Sequence, residues 1–300
     1  MLRLVERILA DRTPAAVVRA LRGGERLVLA YHNVVPDDGA MVGERSLHLP
    51  LARFREQLDA LQDACEVGDL AALLASPEAT GRPRIAITFD DAYRGCLEIA
   101  LPELVRRGLP ATVFVSPGLV DGEGCWWDRL ADPATGLLDA GVRAHVLGAL
   151  AGDGDAALAW ARARGLRVRD CPPVARIASL GEIQSAAALP GIRIGAHSWT
   201  HRALPQVPDA ERSRELEGAL AWLRERIPGT MAWLAFPYGL HDAAVADRAL
   251  SSGYEAVLRI FGGWMRRRDD VSRSIPRLNI PASVRTARFM LLTRGLFPLQ

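Results

Sequence analysis

The sequence predicts an α/β protein built on parallel strands, and two observations support this fold class. Short apolar runs alternate with longer segments of helical periodicity along most of the chain, which is typical of repeated βα units. Polar residues follow several of these apolar runs directly, where strands are expected to end. The carboxyl ends of parallel strands share one face, and α/β enzymes build their active sites there.

The individual elements are predicted from residue type and spacing. Strands are expected where β-branched, aromatic and other apolar residues form short runs. In chain order these runs are RLVLAYHNVV, RPRIAITFDD, PATVFVSPG, GIRIGAHSWTH, MAWLAFPYG, EAVLRI and SIPRLNIP. Helices are expected where apolar residues recur three and four positions apart. These segments are PLARFREQLDALQ, CLEIALPELVRRG (closed by Gly108), DAERSRELEGALAWLRERI and HDAAVADRALSSGY.

Two segments depart from this alternation. Residues 1–26 are predicted to form an amphipathic helix that packs on the domain, with peripheral contact to a membrane surface as the alternative. Residues 121–180 are rich in Ala, Gly and Arg and contain no convincing strand. We therefore expect one domain over residues 27–300, with a helix and loop insertion at about 121–180 that covers one side of the site.

Composition argues against several classes of protein. The chain has 300 residues and a formal net charge of +2, and its basic residues are spread along its length, so no nucleic-acid partner is expected. The four cysteines, at positions 65, 96, 125 and 171, lack CxxC spacing and are expected to be free thiols. Charges interrupt the N-terminal segment, so neither a signal peptide nor a membrane span is predicted and a cytoplasmic location is expected. The sequence predicts no oligomeric state.

Two adjacent carboxylates and two spaced histidines predict a metal site. Asp90 and Asp91 follow the apolar run RIAI, and neighbouring carboxylates repel unless water, a cation or a shared proton relieves them. His197 and His201 lie four residues apart, so on a helical turn both imidazoles can chelate one ion. A hydrogen-bonded structural pair of histidines is the alternative. Two histidines and one carboxylate at strand ends form a three-ligand site with open positions.

Only one aspartate is needed as a ligand, which leaves the other for acid–base chemistry. A second carboxylate beside the ion could take a proton from the water that attacks a carbonyl group. The residues themselves do not decide which aspartate has which role.

Three motifs carry a resemblance to a known family. TFDDAY, HSWTH and FPYG resemble, in this order, the first three motifs of the polysaccharide deacetylases, the NodB-homology domain of carbohydrate esterase family 4. LAYHNV is similar to the YHxV opening of the subgroup that includes exopolysaccharide and poly-N-acetylglucosamine deacetylases. LPELVRRGLPATVFVSPG and IPRLNIP also have counterparts there, so the resemblance extends from about Leu27 to Pro281.

The resemblance implies a fold, a reaction and a set of site residues. The fold is a distorted (β/α)7 barrel, expected to be circularly permuted in this subgroup, and the reaction removes acetyl groups from N-acetylated sugars. Asp90 would be the catalytic base. Asp91, His197 and His201 would bind one divalent metal, usually Zn²⁺, with Co²⁺, Ni²⁺ or Fe²⁺ as alternatives. The backbone N–H of Tyr238 would stabilise the oxyanion.

The chain departs from the family pattern in three places. Ala92 stands where the first motif usually has Gly, a mild change if its φ is negative. The third motif lacks its arginine-containing form, with Ala235 and Phe236 ahead of Pro237. The late Leu-x-His motif, which supplies the general acid in many members, has no counterpart, because no histidine follows His241.

His32 is the predicted replacement for the missing general acid. An acid is still required, because an amine leaves poorly unless it is protonated. His32 ends the first predicted strand, and in a permuted barrel an N-terminal histidine can occupy the missing position. A capped or buried structural histidine is the alternative.

Three further residues are predicted to contact the substrate. Trp199 lies between the two metal histidines and could stack on a sugar ring, although large aromatics are more often core residues. His241 follows the oxyanion turn and could reach the substrate. Arg277 could pair with Asp90 and tune its pKa, with a surface salt bridge as the alternative.

The predicted function is therefore metal-dependent deacetylation of an N-acetylated sugar, whether a glycan, a glycoside or a lipid- or nucleotide-linked intermediate. One rival interpretation is the same fold acting on a small non-sugar amide. Another is an inactive glycan-binding homologue, which the missing late histidine would suit. A two-His-one-carboxylate iron oxygenase uses the same ligand types but needs a different fold and spacing.

Overall fold

A computed structural model describes residues 26–38, 42–75, 82–265 and 274–295. The predicted N-terminal helix over residues 1–26 lies outside the described residues, except for Arg26, which begins the first strand. Its contact with the domain or with a membrane therefore stays a prediction. None of the described helices is long and apolar enough to span a bilayer.

Seven parallel strands form a closed barrel, which confirms the predicted (β/α)7 fold class. The strands are β1 (Arg26–Tyr31), β5 (Arg84–Phe89), β6 (Ala111–Val115), β7 (Ile192–Ala196), β8 (Trp233–Ala235), β9 (Ala256–Gly262) and β10 (Ile275–Asn279). They follow one another around the barrel in chain order, and β1 closes it by pairing with both β5 and β10. The predicted circular permutation relative to other family members stays a prediction.

Three short strands lie outside the closed ring. β2 (Asn33–Val35) and β3 (His48–Pro50) form a separate parallel pair, and β4 (Glu66–Val67) adds to the edge of β5. The sequence prediction merged β1 and β2 into one strand. The structure interrupts them at His32, which has no strand pairing.

Helices surround the barrel. In the described part of the chain, α1 to α11 span Leu51–Ala64, Leu70–Ala75, Leu101–Arg106, Trp126–Leu130, Ala140–Ala149, Gly154–Ala163, Leu180–Ala187, Asp209–Ser213, Ala219–Arg226, Ala243–Ser251 and Thr286–Thr293. A π-helical turn precedes α3 over Cys96–Ala100, and another joins α8 to α9 over Arg214–Gly218. Residues 121–180 contain α4 to α6 and, apart from a single bridge between Ile177 and Tyr93, no strand.

The strands divide their side chains between two hydrophobic clusters, because successive residues of a strand point to opposite faces. The cluster between the outer face of the barrel and the surrounding helices includes Leu27, Leu29, Ile85, Ile87 and Val113. The cluster inside the barrel includes Val28, Ala86, Phe114, Ala235 and Leu258. The inward positions matter for function. The same alternation continues past the strand ends, so the residues that follow each strand at inward positions face the open end of the barrel.

Gly195 allows Phe114 to fill the barrel interior. A Cβ atom added to Gly195 in β7 would lie 2.7 Å from Cε1 of Phe114 and 3.2 Å from the carbonyl oxygen of Trp233. The Phe114 ring is fully buried and has the Arg277 guanidinium 5.5 Å from its centroid, so moving the ring would disturb other buried groups. A larger residue at position 195 would therefore overpack the barrel directly beneath the strand end that carries His197.

We expect Gly195→Ala to lower the free energy of unfolding by about 1–3 kcal/mol, the usual cost of overpacking a core. Urea denaturation followed by circular dichroism measures this loss. The matched control is Gly148→Ala in α5, where an added Cβ meets no atom within 4 Å and helix propensity favours Ala. Equal stability of both variants would contradict the packing argument.

Candidate active site

A cavity of about 230 Å³ opens at the carboxyl ends of the barrel strands. It brings together six polar residues that are distant in sequence and were predicted to share a site. These residues are His32, Asp90, Asp91, His197, His201 and Tyr238. Their chemical roles stay predictions, but their convergence in one cavity is an observed property of the fold.

Strand alternation explains why these side chains converge. Asp90 lies two residues after Thr88 and four after Ala86, which faces the barrel interior. In the same way, His197 lies two residues after Gly195 of β7, and His32 lies four residues after Val28 of β1, so each continues the inward-facing positions of its strand. Because the inward face continues for one or two residues past each strand, the last inward positions lie around the open end.

Asp91, His197 and His201 form a buried group that could hold a metal ion. One ligand atom from each residue lies within 4.8 Å of the other two. Nε2 of His201 is 3.1 Å from Oδ1 of Asp91 and 3.2 Å from Nε2 of His197. Oδ1 of Asp91 is buried, and none of its contacts with the described residues, the short approach of His201 included, has hydrogen-bond geometry, as expected of an atom that serves as a ligand.

The protonation of His197 suits metal binding. Its Nδ1 lies 2.7 Å from the carbonyl oxygen of Ala235, and a carbonyl can only accept, so Nδ1 carries the proton. Burial lowers the pKa of His197 to about 4, which keeps the ring neutral and leaves a lone pair on Nε2. Two imidazoles and one carboxylate with open positions are a common zinc set. The residues present therefore fit a divalent transition metal.

A bend, and not the expected helical turn, brings the two histidines together. Ser198 and His201 have φ values of 60° and 59°, which lie in the left-handed region and exclude a regular helix. Glu215 holds the bend by accepting hydrogen bonds from the backbone N–H groups of Trp199 and Thr200, at 3.0 and 2.9 Å. The hydroxyl of Ser116 donates to the carbonyl oxygen of His197 at 2.6 Å.

The turn after β5 is also left-handed. Asp91 and Ala92 have φ values of 70° and 53°. Ala92 was expected to be a mild replacement for Gly only if its φ were negative. Its φ is positive, so the replacement is not mild. A non-glycine residue in this region costs roughly 1–2 kcal/mol, and such strain is common at functional sites.

Arg277 holds Asp90 in a buried ion pair. Nη1 and Nη2 of Arg277 lie 2.7 and 2.8 Å from the two carboxylate oxygens of Asp90. Arg277 has no exposed surface, so the alternative of a surface salt bridge is wrong. Burial by itself would raise the pKa of Asp90, but the Arg277 guanidinium outweighs it and holds this pKa well below its usual range. Asp90 is therefore ionised at neutral pH.

His32 lines the same cavity at the end of β1. Burial lowers its pKa, while the neighbouring carboxylates of Asp91 and Asp90 act in the opposite direction. Its position in the cavity is compatible with the predicted acid role.

Tyr238 follows β8 in a 3₁₀ turn over Pro237–Gly239 and has a φ of 56°. Its ring packs edge-on against the imidazole of His201, with 4.4 Å between the ring centroids. The left-handed backbone turns the chain sharply at the cavity wall. The predicted role of its N–H group as an oxyanion donor stays a prediction.

None of the three predicted substrate contacts, Arg277, Trp199 and His241, lines this cavity. Arg277 lies beneath it, paired with Asp90. Trp199 packs against Trp222, with the Arg214 guanidinium 5.5 Å from its ring centroid. His241 stacks on Phe236, with 4.8 Å between ring centroids and 4° between ring planes. Their contacts with a sugar stay predictions that this cavity does not support.

The cavity also contains residues that sequence reasoning missed. Glu44, Arg143 and Phe261 are among those that line it. Phe261 lies near the carboxyl end of β9, so the strand-end rule could have found it. Arg143 lies on α5 within the insertion, and Glu44 lies in the connection between β2 and β3. Neither follows a barrel strand, so no sequence signal identified them.

Comparison with solved structures finds the same fold. IcaB from Ammonifex degensii has a TM-score of 0.63 and 18% sequence identity, covering 91% of this chain and 98% of that chain. The Streptococcus pyogenes deacetylase PplD, solved in complex with acetate, has a TM-score of 0.62 and 15% identity, covering 89% and 97%. The de-N-acetylase from Aggregatibacter actinomycetemcomitans has a TM-score of 0.60 and 13% identity, covering 89% and 99%.

Sequence comparison identifies the family. Among curated proteins no relative was found. The family model described as polysaccharide deacetylase matches residues 78–257, which is more than half of the chain and includes TFDDAY, HSWTH and FPYG. The chain therefore belongs to the polysaccharide deacetylase family.

Proposed function

We propose that this protein is a metal-dependent deacetylase that hydrolyses the N-acetyl group of an N-acetylated sugar. The observation that carries the proposal is the pairing of a buried three-ligand group with a second, separately ionised carboxylate in one cavity. Family membership supports a carbohydrate substrate. The substrate could be a glycan, a glycoside or a lipid- or nucleotide-linked intermediate.

Asp91, His197 and His201 are the proposed metal ligands. A divalent ion bound there would supply Lewis-acid chemistry, polarising the acetyl carbonyl and making water more acidic. The ligand types favour Zn²⁺, with Co²⁺, Ni²⁺ and Fe²⁺ as alternatives. An ion would also relieve the repulsion between the two adjacent carboxylates.

Asp90 is the proposed general base. It would accept a proton from the water that attacks the acetyl carbon, and Arg277 keeps it ionised for this step. The backbone N–H of Tyr238 would donate a hydrogen bond to the carbonyl oxygen as negative charge develops there. His32 would have to be protonated at this stage; as the C–N bond breaks, its imidazolium would give a proton to the sugar nitrogen and become neutral, so that the nitrogen leaves as a neutral amine.

The metal prediction tests the ligand set directly. We expect purified wild-type protein to contain one transition metal per chain and to release acetate from N-acetylated sugars, and a chelator to abolish this release. His201→Ala should lose both metal and activity. His145→Ala is the matched control, because His145 stacks on Trp160 in the insertion, with 4.3 Å between ring centroids, and does not line the cavity. Equal metal content in wild type and His201→Ala would refute the ligand assignment.

The base prediction concerns Asp90. Asp90→Asn should keep its metal and lose turnover by about 10²–10⁴-fold, the usual contribution of a general base. Because the change also leaves Arg277 buried without its charged partner, thermal unfolding and metal content must be measured alongside kcat. Asp242→Asn is the control, since Asp242 caps α10, and it should keep near wild-type activity. Near-full activity of folded Asp90→Asn would make Asp90 a structural neighbour only.

The acid prediction concerns His32. His32→Ala should strongly lower kcat for an N-acetyl substrate, because the leaving nitrogen needs a proton, and should keep the metal. The same variant should lose far less activity on an activated acetate ester, whose leaving group needs no proton. Parallel assays on the two substrates measure the difference. Equal losses would mean that His32 orients the substrate and is not the acid.

A further inference from the structure

The two proposed metal histidines are held in different ways. Nδ1 of His197 is fixed by the carbonyl oxygen of Ala235. Nδ1 of His201 is buried and has no hydrogen-bond partner among the described residues. Metal-binding histidines usually donate their second ring nitrogen to a protein group, and this bond sets the orientation of the ring. Something else must therefore orient the His201 imidazole.

Three aromatic rings enclose the His201 imidazole. Its centroid lies 4.4 Å from that of Tyr238, 4.7 Å from that of His197 and 4.8 Å from that of Trp127. The interplanar angles are 83°, 68° and 53°. Rings at these distances prevent the imidazole from tilting or flipping, provided that the enclosing rings are themselves fixed.

Hydrogen bonds fix the Trp127 and Tyr238 rings. Nε1 of Trp127 donates to the hydroxyl of Tyr93 at 2.8 Å, and this hydroxyl donates to Oδ2 of Asp128 at 2.6 Å. Nε1 of Trp126 donates to the hydroxyl of Tyr238 at 2.9 Å. Each ring against His201 is therefore held at its polar edge, away from the ligand atoms.

Asp128 anchors the Trp127 side of this arrangement. It is fully buried, and its Oδ1 accepts hydrogen bonds from Nε2 of His48 at 2.9 Å and from the backbone N–H of Glu44 at 2.8 Å. Nδ2 of Asn33 lies 3.0 Å from Nδ1 of His48. An amide nitrogen only donates, so Nδ1 accepts and the His48 proton lies on Nε2, facing Asp128. The Asp128 carboxylate thus accepts three hydrogen bonds, from the His48 ring, the Glu44 N–H and the Tyr93 hydroxyl.

We propose that Tyr93, Trp127 and Asp128 are positioning residues that orient His201 for metal binding, taking the place of the hydrogen bond that its Nδ1 lacks. This inference rests on the proposed metal site. It also gives the insertion a role, since Trp127 and Asp128 both belong to residues 121–180. The insertion would complete the shell around one ligand and would not merely cover the cavity.

The test uses Tyr93→Phe, which keeps the ring and removes the hydroxyl that links Trp127 to Asp128. The probe is Co²⁺ loaded into metal-free protein. We expect about 10- to 100-fold weaker Co²⁺ binding, the usual cost of losing a group that orients a ligand, together with a changed visible absorption spectrum. Competition with a chelator of known affinity measures the binding.

The matched control is Tyr254→Phe. Tyr254 is also buried, and its hydroxyl donates to the carbonyl oxygen of Leu216 at 2.9 Å, away from the cavity. Both variants lose one buried hydroxyl, so a general loss of stability affects both, whereas the Co²⁺ spectrum should change only in Tyr93→Phe. If Tyr93→Phe does not fold, Trp127→Phe removes the N–H of the same link and should produce the same spectral change.

The outcomes separate this inference from the proposed function. Wild-type affinity and spectrum in folded Tyr93→Phe would overturn the positioning role and leave the metal site intact. The same spectral change in Tyr254→Phe would also overturn it, because the effect would then be general. A wild-type protein that binds no Co²⁺ would refute the metal site itself, and the inference with it.

Discussion

The site depends on keeping two adjacent carboxylates ionised where water is largely excluded. Asp90 and Asp91 are each only 2% exposed, and burial opposes the charged form of both. Arg277 offsets this cost for Asp90 through two short hydrogen bonds. His201 and His197 hold the pKa of Asp91 below its ordinary value. The two neighbours share His197, which lies 4.0 Å from Asp90 and 3.5 Å from Asp91, but their main partners differ: Arg277 for Asp90 and His201 for Asp91.

Barrel closure makes this division possible. Arg277 lies 187 positions after Asp90 in the chain, and the two meet only because β1 pairs with both β5 and β10. An open sheet would leave the first and last strands at opposite edges. Ring closure therefore determines the charge state of the proposed base, and the inward positions of β5 and β10 direct both side chains to the same end.

Local backbone strain accompanies the site. Of the seven non-glycine residues with positive φ among those described, five lie in the turns that carry the proposed ligands and the oxyanion turn: Asp91, Ala92, Ser198, His201 and Tyr238. Such residues cost about 1–3 kcal/mol each and persist only where surrounding contacts enforce them. Glu215 and Ser116 supply such contacts around the His197–His201 bend. The ligands are thus held by rigid turns, although they lie outside the strands.

The sequence by itself determined the α/β class, the barrel strands and the residues at their carboxyl ends, because apolar periodicity and strand-end polarity are local properties. It also supplied the motifs that carry the family resemblance. Only the tertiary structure decided that Arg277 pairs with Asp90, that Ala92 is left-handed and that Trp199 and His241 do not line the cavity. It also decided that Trp127, Tyr238 and His197 enclose His201, with Tyr93 and Asp128 holding Trp127 in place. These facts depend on contacts between segments that are distant in the chain, and local patterns do not specify which side chains meet when the barrel closes.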